Sequence, residues 1–369
     1  YAMNRKTLIV NNSRNGIKSF PYIMEDNKSI NIDANFDFTL AEMLIEKGLC
    51  KNYPKKIFIN NNYKPSNKKI NLLVTSPMNF IKDIKNKLKE KYNTHFAYNI
   101  DYEQLKKNIG NFEAWICHPA PKFKINYKIL SLAKKLKIIS TPSTGTNHID
   151  LDYCKQKNIN VTSIRNNKEI KNIKASSEFT FLLMISAFKN LHHGIMNGKV
   201  GNWRENEEYL RGNQLYKKKL GIIGYGRIGS NVSKYAAAFD MKINVYDPYK
   251  KIKRKNIKQY NNLNDMLKIC DAVIISIHLN KKNYKFFDNQ KFRYLKKNTI
   301  LINTSRGEII DERALIKSFK SKKIKFYAAD VVCDEHKLPQ QKSKVFSIAN
   351  KKNVIITPHM AGLTYESEE

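Results

Sequence analysis

The sequence predicts an α/β protein with two doubly wound parallel-sheet domains and a small N-terminal extension. From Ile70 onward, short β-rich apolar runs alternate with segments of helical length, which is typical of parallel sheets covered by helices on both faces. A long helical stretch, roughly Ala175 to Asn197, interrupts the alternation, and a second βα series follows. The 369 residues have the length of two domains, and 41% hydrophobic residues suffice for a buried core.

The same pattern sets the predicted boundaries. Residues 1–68 form the extension, in which we find no chemistry, and residues 69–172 form the first domain, with residues 360–369 as candidates to complete it. Residues 173–359 form the second domain. Predicted strands of the first series are INLLVT, EAWIC and KIIS, and those of the second are KLGIIG, INVYD, AVIISI, TILINT, KFYAAD and NVIIT.

The net charge is the most prominent feature of the composition. The chain carries 67 Lys+Arg against 32 Asp+Glu, a formal charge of +35, which would suit a polyanion partner. Only ten of the basic residues are Arg, however, and the lysines spread along the whole chain instead of forming one stripe. The pattern favours compositional bias, so we do not expect nucleic acid to be the partner.

Cysteine usage and hydropathy indicate a cytoplasmic protein. The five cysteines are far apart and show no CxxC or His-paired spacing, so we expect neither disulfides nor a metal site. The longest apolar run, Phe179 to Phe188, is about half the ~20 residues that span a bilayer. No membrane association is expected.

The strongest local signal is a glycine-rich loop between a strand and a helix. Strand residues 220–223 lead into Gly224-x-Gly226-x-x-Gly229, and a second strand ends in Asp247, 18 residues after the last glycine. The first glycine permits a tight turn, the second lets a pyrophosphate approach the backbone, and the third lets helix and strand pack closely. The acid is placed to accept the ribose hydroxyls, which favours NAD over NADP.

A glycine-rich helix entry without a ligand is the alternative, but strand, loop, helix, second strand and acid coincide here. The cofactor contacts then include Arg227 and Ile228 of the loop. Arg227 is a 2′-phosphate ligand in one interpretation and lies along the pyrophosphate in the one we prefer.

Three further segments of the second domain place polar residues directly after predicted strands. Arg306 follows TILINT, Asp330 ends KFYAAD with Glu335 five residues later, and His359 follows NVIITP. Taken singly, Arg306 could pair with Asp311, Glu335 could be solvated and His359 could cap a helix. Their joint placement at the carboxyl edge of one sheet, where ligands of open α/β sheets bind, favours an active site.

At this point the sequence resembles the D-isomer-specific 2-hydroxyacid dehydrogenase family, including its phosphoglycerate dehydrogenase-like branch. The resemblance extends from about Ile70 to the end, and it is carried by STGTNHIDLDYC, by GNW followed by LGIIGYGRIG, by NTSRGEIIDERAL and by ITPHMAGLT. It implies a flavodoxin-like substrate domain, a Rossmann NAD domain and a homodimer formed through the latter.

The resemblance also implies the roles of the site residues. Arg306 would bind the carboxylate of a small anionic 2-keto or 2-hydroxy acid, His359 would exchange a proton with the reacting oxygen, and Glu335 would hold His359. Gly145 and Thr146 would close the cleft from the substrate domain. Near the nicotinamide and its ribose the resemblance places Thr304, Ser305 and Asp330, and His278 is either a dinucleotide contact or a structural histidine.

One loop departs from the family pattern. In CHPAPKFKIN, Pro119 and Pro121 have no N–H, which leaves Ala120 as the one backbone donor between them, and His118 stands where phosphoglycerate dehydrogenases tend to carry Arg. We therefore expect a substrate other than 3-phosphoglycerate, held by the Ala120 N–H and a nearby lysine, Lys122 or Lys124.

The sequence thus predicts an NAD-dependent oxidoreductase that interconverts a 2-keto acid and a D-2-hydroxy acid. The competing hypothesis is an NAD-binding regulatory protein of the corepressor type without significant turnover, because such proteins share the fold and a +35 surface would suit nucleic acid.

Overall fold

We describe the fold from a computed structural model. It describes residues 69–204, 207–338, 343–351 and 353–368. The extension predicted for residues 1–68 lies outside the described residues. Within them, no helix combines the length and apolar character that a bilayer crossing requires.

The first sheet has five parallel strands in the order β2-β1-β3-β4-β5, a flavodoxin-like order. Its strands are β1 (Asn71–Val74), β2 (Asn93–Phe96), β3 (Ala114–Ile116), β4 (Ile138–Thr141) and β5 (Asn160–Ser163). The helices between them are α1 (Ile84–Lys91), α2 (Tyr102–Asn108), α3 (Tyr127–Leu130) and α4 (Leu151–Gln156). The buried Trp115 on the central strand donates its indole N–H to Thr75 Oγ1 at 3.0 Å.

The second sheet has seven parallel strands in the order β12-β11-β10-β9-β6-β7-β8, the doubly wound order of dinucleotide-binding domains with one further strand. The strands are β6 (Lys219–Ile223), β7 (Lys242–Tyr246), β8 (Ile257–Tyr260), β9 (Ala272–Ile275), β10 (Thr299–Asn303), β11 (Ile324–Ala329) and β12 (Val354–Ile356). Two parallel sheets confirm the predicted fold class.

Helices cover this second sheet and lead into it. They are α5 (Ala175–Lys189), α6 (Leu191–Lys199), α7 (Glu207–Leu210), α8 (Arg227–Ala238), α9 (Leu263–Leu267), α10 (Asn289–Tyr294), α11 (Glu312–Lys320) and α12 (Tyr365–Glu368). Short 3-10 turns lie at Ile109–Asn111, Ile164–Asn166, Lys168–Lys171, Gly307–Ile309, Glu335–Lys337 and Lys344–Ile348. One layer of apolar core lies on each face of the sheet.

The single long helix predicted from Ala175 to Asn197 is wrong, because the chain forms two helices with a break at Asn190. Asn190 has a left-handed φ of 51°, a conformation that asparagine tolerates better than most residues. Its side chain donates to Arg211 O at 3.0 Å, and Asn213 N donates to Phe188 O at 2.6 Å. The returning chain therefore takes over the last carbonyls of α5 and ends the helix.

The central strands bring polar residues to one edge of the large sheet. Strands β9 and β10 are buried along their whole length, which explains their nearly continuous apolar sequences. All strands of this sheet are parallel, so the residues that follow them lie along the same edge. These are Gly224 after β6, Asp247 after β7, Thr304 after β10, Asp330 after β11 and Thr357 after β12.

Candidate active site

The loop after β6 gives two glycines the backbone roles that the sequence predicts. Gly224 has a φ of 91°, and a Cβ there would lie 2.6 Å from Ser276 O. A Cβ on Gly229 would lie 2.2 Å from Gly224 O, so the close approach of α8 requires glycine. A Cβ on Gly226, in contrast, would meet no atom within 4 Å. The backbone at Gly226 is therefore open to a ligand.

Asp247 is tied to this loop through its carboxylate. Oδ2 accepts a hydrogen bond from Tyr225 N at 2.8 Å, and Oδ1 accepts one from Tyr249 N at 2.9 Å. Within the described residues no side chain caps helix α8 at Gly226, so its first-turn N–H groups have no side-chain acceptor. An open glycine, an uncapped helix N-terminus and a fixed acid fit the pyrophosphate and ribose of a dinucleotide.

His359 and Glu335 form a hydrogen-bonded pair at the same edge of the sheet. Glu335 Oε2 lies 2.6 Å from His359 Nδ1, and Glu335 Oε1 accepts a hydrogen bond from Val332 N at 3.0 Å. Both side chains are about one third exposed, so they are reachable from the cleft. Because Nδ1 faces the carboxylate, Nε2 is the ring atom left to exchange a proton with a substrate.

Asp330 holds the backbone around His359. It is 1% exposed; its Oδ1 accepts hydrogen bonds from Met360 N at 2.9 Å and Thr357 Oγ1 at 2.6 Å, and its Oδ2 accepts one from Ala361 N at 2.8 Å. His359 itself has a left-handed φ of 55° and donates its N–H to Asp330 O at 2.9 Å. The position that the sequence assigns to the nicotinamide is thus also a clamp on the histidine loop.

Arg306 lies between the two domains. Its Nη1 donates to Ser305 O at 2.6 Å, and its Nη2 lies within 2.4 Å of where a Cβ on Gly145 of the substrate domain would be. Burial lowers the pKa of Arg306, and the carboxylates of Glu335 and Glu308 act in the opposite direction. Asp311 caps α11 through Arg313 N at 2.9 Å, and in the described part of the chain Arg306 forms no ion pair. A guanidinium without a bound carboxylate suits an anionic substrate.

Models of known protein families match most of the chain. The catalytic domain of D-isomer specific 2-hydroxyacid dehydrogenases matches residues 72–171, and the NAD binding domain of the same family matches residues 181–361. The chain belongs to this family. The predicted family, its NAD cofactor and its oxidoreductase class are thereby confirmed.

Individual relatives of the dehydrogenase support the assignment. D-3-phosphoglycerate dehydrogenase of Methanocaldococcus jannaschii is 30% identical over 303 residues, which are 81% of this chain and 55% of that protein. Glyoxylate reductase of Thermofilum pendens is 30% identical over 272 residues, 72% of this chain and 77% of that protein. The crystal structure of D-lactate dehydrogenase from Aquifex aeolicus, complexed with NAD and lactic acid, has a TM-score of 0.68 at 29% identity and covers 80% of this chain and 90% of its own.

The contact between Gly145 and Arg306 carries the first prediction for this dehydrogenase. In Gly145→Ala the new methyl group must displace the Arg306 guanidinium, which is the end of a flexible side chain and not backbone. We therefore expect little change in thermal stability but a rise of roughly tenfold or more in KM for the keto acid. Steady-state kinetics and a melting curve check this.

Gly194→Ala is the matched control, because a Cβ there meets no atom within 4 Å. It should leave both KM and Tm within error or raise Tm slightly, since alanine favours the helix. Equal KM values for the Gly145→Ala variant and the wild type would refute the predicted contact.

In the substrate loop of the dehydrogenase, the predicted donor already has a partner. Ala120 N donates to His118 Nδ1 at 2.9 Å, and His118 N donates to Thr75 Oγ1 at 3.2 Å. Burial, and then the charge of Lys122, lower the pKa of His118 against the opposing effect of its bond to Ala120. Lys122 and Lys124 are exposed. Substrate binding at Ala120 stays a prediction, and it requires the His118 ring to turn away.

The sequence did not single out His148, although it lies in the STGTNHID motif that carries the family resemblance. Its Nε2 lies 3.2 Å from Thr141 Oγ1 and 3.6 Å from Cys117 Sγ. Burial lowers the pKa of His148 to about 4, with smaller contributions from the positive charges of Arg306 and His118. A neutral, polar imidazole therefore faces the substrate arginine from the other domain.

The lowered pKa of His148 predicts a pH-dependent stability. Between pH 6.5 and pH 4 the unfolded chain binds a proton at this residue that the folded chain does not, so stability is lost as the pH falls through that window. We expect His148 to contribute on the order of 1 to 2 kcal/mol to the loss between pH 7 and pH 5. Urea unfolding of the wild type and His148→Asn at both pH values measures it; equal losses in the two proteins would contradict the prediction.

The remaining predicted residues have protein partners whose hydrogen bonds fix their positions. Thr304 Oγ1 lies 2.6 Å from Thr180 Oγ1, and Ser305 Oγ donates to Ile275 O at 2.8 Å. Arg227 Nη1 donates to Ile173 O at 2.6 Å, which links the glycine loop to the segment before α5. Thr146 O accepts from Ile149 N at 3.0 Å.

His278 follows β9 at the domain cleft. Burial lowers its pKa, and the positive charges of Arg165, Arg306 and Arg227 lower it further. Arg165 belongs to the substrate domain, so cationic side chains of both domains surround the same space. Contacts of these residues with NAD or substrate stay predictions.

Proposed function

We propose that the dehydrogenase reversibly interconverts a 2-keto acid and a D-2-hydroxy acid with Arg306, Glu335 and His359 as its catalytic residues. The observation that carries the proposal is the 2.6 Å contact between Glu335 and His359, which leaves His359 Nε2 available on the side of the cleft that Arg306 lines. An imidazole held by a carboxylate is a general acid and base, and a guanidinium binds a carboxylate through two parallel hydrogen bonds.

In the reducing direction, Arg306 would bind the substrate carboxylate and polarise the neighbouring carbonyl. His359 would give the proton on Nε2 to the carbonyl oxygen, and in oxidation it would take that proton back. Glu335 would fix the ring and stabilise its charged form. When bound, NADH supplies the hydride; the loop Gly224 to Gly229, Asp247 and the residues after β10 would hold it. Closure of the two domains would exclude water.

The test is NADH oxidation with a panel of 2-keto acids of increasing size, followed by NAD reduction with the D and L forms of the best product. We expect turnover with at least one keto acid and a strong preference for the D hydroxy acid. Absence of turnover on the whole panel, together with salt-sensitive DNA binding, would favour the regulatory alternative.

We also propose a homodimer formed through the NAD domain. Large apolar side chains are exposed along α6 and the segment after it, where Ile195 is 49%, Met196 63%, Val200 68% and Trp203 81% exposed. Such a patch is more extensive than a monomer usually presents to water. Light scattering should give twice the 43.0 kDa of the chain, and Met196→Glu should reduce it to the monomer mass.

The proposed location is the cytoplasm. Cys117, Cys154, Cys270 and Cys333, the cysteines in the described part of the chain, are all free thiols, which suits a reducing compartment.

A further inference from the structure

A buried carboxylate, Glu312, organises the segment that carries Glu335. Glu312 is the first residue of α11 and is 9% exposed. Its Oε1 accepts hydrogen bonds from Cys333 N at 3.1 Å and from Ser343 Oγ, and its Oε2 accepts one from Val345 N at 3.3 Å. These donors stand on both sides of Glu335 along the chain, so one side chain holds both ends of its loop.

Further contacts join the same two segments. Glu308 Oε1 accepts a hydrogen bond from Asp334 N at 3.3 Å. A Cβ on Gly307 would lie 2.0 Å from Val332 C and 2.3 Å from Cys333 N, so the two backbones touch there. Asp334 has a left-handed φ of 56°, a conformation that costs free energy in a residue other than glycine unless its surroundings hold it.

The geometry of Glu335 depends on this loop. Glu335 Oε1 accepts from Val332 N, and Glu335 Oε2 contacts His359, so the carboxylate can face the histidine only while the loop keeps its turn. The segment that holds the loop begins with Arg306. The proposed carboxylate anchor and the proposed acid–base pair are therefore joined through the contacts of Glu308 and Glu312.

The placement of Glu312 is costly for a residue that served only the core. Burying a carboxylate costs free energy unless its oxygens are hydrogen-bonded. Within the described residues Glu312 forms no ion pair, and its recorded acceptors are all directed at the 333–345 segment. An apolar side chain would fill the space without that cost, but it would leave two backbone N–H groups of the loop without acceptors.

We propose that Glu312 is a positioning residue for catalysis, which acts by fixing Glu335 against His359, with Glu308 as its auxiliary. The proposal rests on the proposed function of Glu335 and His359. Glu312→Gln is the sharpest test, because the amide keeps the shape but has one acceptor oxygen for three donors. We expect kcat to fall about 10- to 100-fold while KM for NADH changes less than about twofold.

A double-mutant cycle distinguishes positioning from general structural support. If Glu312 acts through Glu335, Glu312→Gln should change kcat less than about twofold once Glu335→Gln is present. Asp311→Ala is the matched control, since Asp311 caps the same helix through Arg313 N and Ala314 N. It should lower Tm and leave kcat within about twofold. Wild-type kcat in Glu312→Gln, or full additivity with Glu335→Gln, would overturn the proposal.

A spectroscopic measurement separates this proposal from the proposed function. A proton shared over 2.6 Å between His359 Nδ1 and Glu335 should give a downfield imidazole N–H resonance in the wild-type protein, with or without turnover. We expect Glu335→Gln to abolish the resonance, Glu312→Gln to weaken or shift it, and Asp311→Ala to leave it in place. If Glu312→Gln does not fold, Glu308→Gln and Ser343→Ala should give the same changes on a smaller scale. A resonance unaffected in every folded Glu312, Glu308 and Ser343 variant would refute the positioning role even in an enzyme whose substrate is unknown.

Discussion

His359→Asn is expected to lower kcat for keto acid reduction about 1,000-fold, because it removes the group that gives the proton to the carbonyl oxygen. Asparagine tolerates the left-handed backbone that His359 adopts, so the loop should keep its form. The Kd of NADH, measured by fluorescence titration, should change less than about threefold. Single-turnover kinetics then locate the loss in the chemical step.

His95→Asn is the control for this substitution. His95 is exposed on β2, the edge strand of the other sheet, and its replacement should leave kcat unchanged. A His359→Asn variant with more than about one tenth of the wild-type kcat would rule out His359 as the acid and base.

Arg306→Lys is expected to reduce kcat/KM for the keto acid roughly 100- to 1,000-fold, although the positive charge is kept. Lysine cannot form two parallel hydrogen bonds with a carboxylate, and it is a shorter reach from the Gly145 side of the cleft. Most of the effect should be an increase in KM for the keto acid, with KM for NADH nearly constant. Initial rates over a matrix of both substrates measure the two terms.

Arg313→Lys makes the same chemical change on the exposed face of α11, seven residues along the chain. It should behave as the wild type. If Arg306→Lys kept the wild-type KM for every substrate of the panel, the carboxylate would have to bind elsewhere, and the Ala120 loop would be the next candidate.

The sequence predicted the central strands of both sheets and missed three edge strands, for one physical reason. β9 and β10 are buried on both faces and are apolar throughout, so their pattern is unmistakable. β2, β5 and β8 lie at sheet edges and alternate between exposed and half-buried residues. Their sequences NTHF, NVTS and IKQY carry many polar side chains and resemble loops until a neighbouring strand is known.

The site was predictable where chemistry and strand ends coincide, and it was not where contacts come from distant segments. Arg306, Glu335 and His359 each follow an apolar strand, so topology alone brings them to one edge. The contact of Gly145 with Arg306 and the hydrogen bond from Ala120 to His118 depend on loop conformation. Glu312 looked like an ordinary first-turn acid of a helix, and only its burial reveals its acceptor role.

The left-handed backbone of His359 has a consequence for how this protein can change under selection. A histidine at φ 55° stores roughly 1 kcal/mol or more that glycine or asparagine would release. Selection for heat resistance alone therefore has an easy first step, which is to replace this histidine, and that step would abolish the proton transfer proposed for it. Directed evolution toward a hotter enzyme should screen turnover in every round, because at this position stability and activity demand different residues.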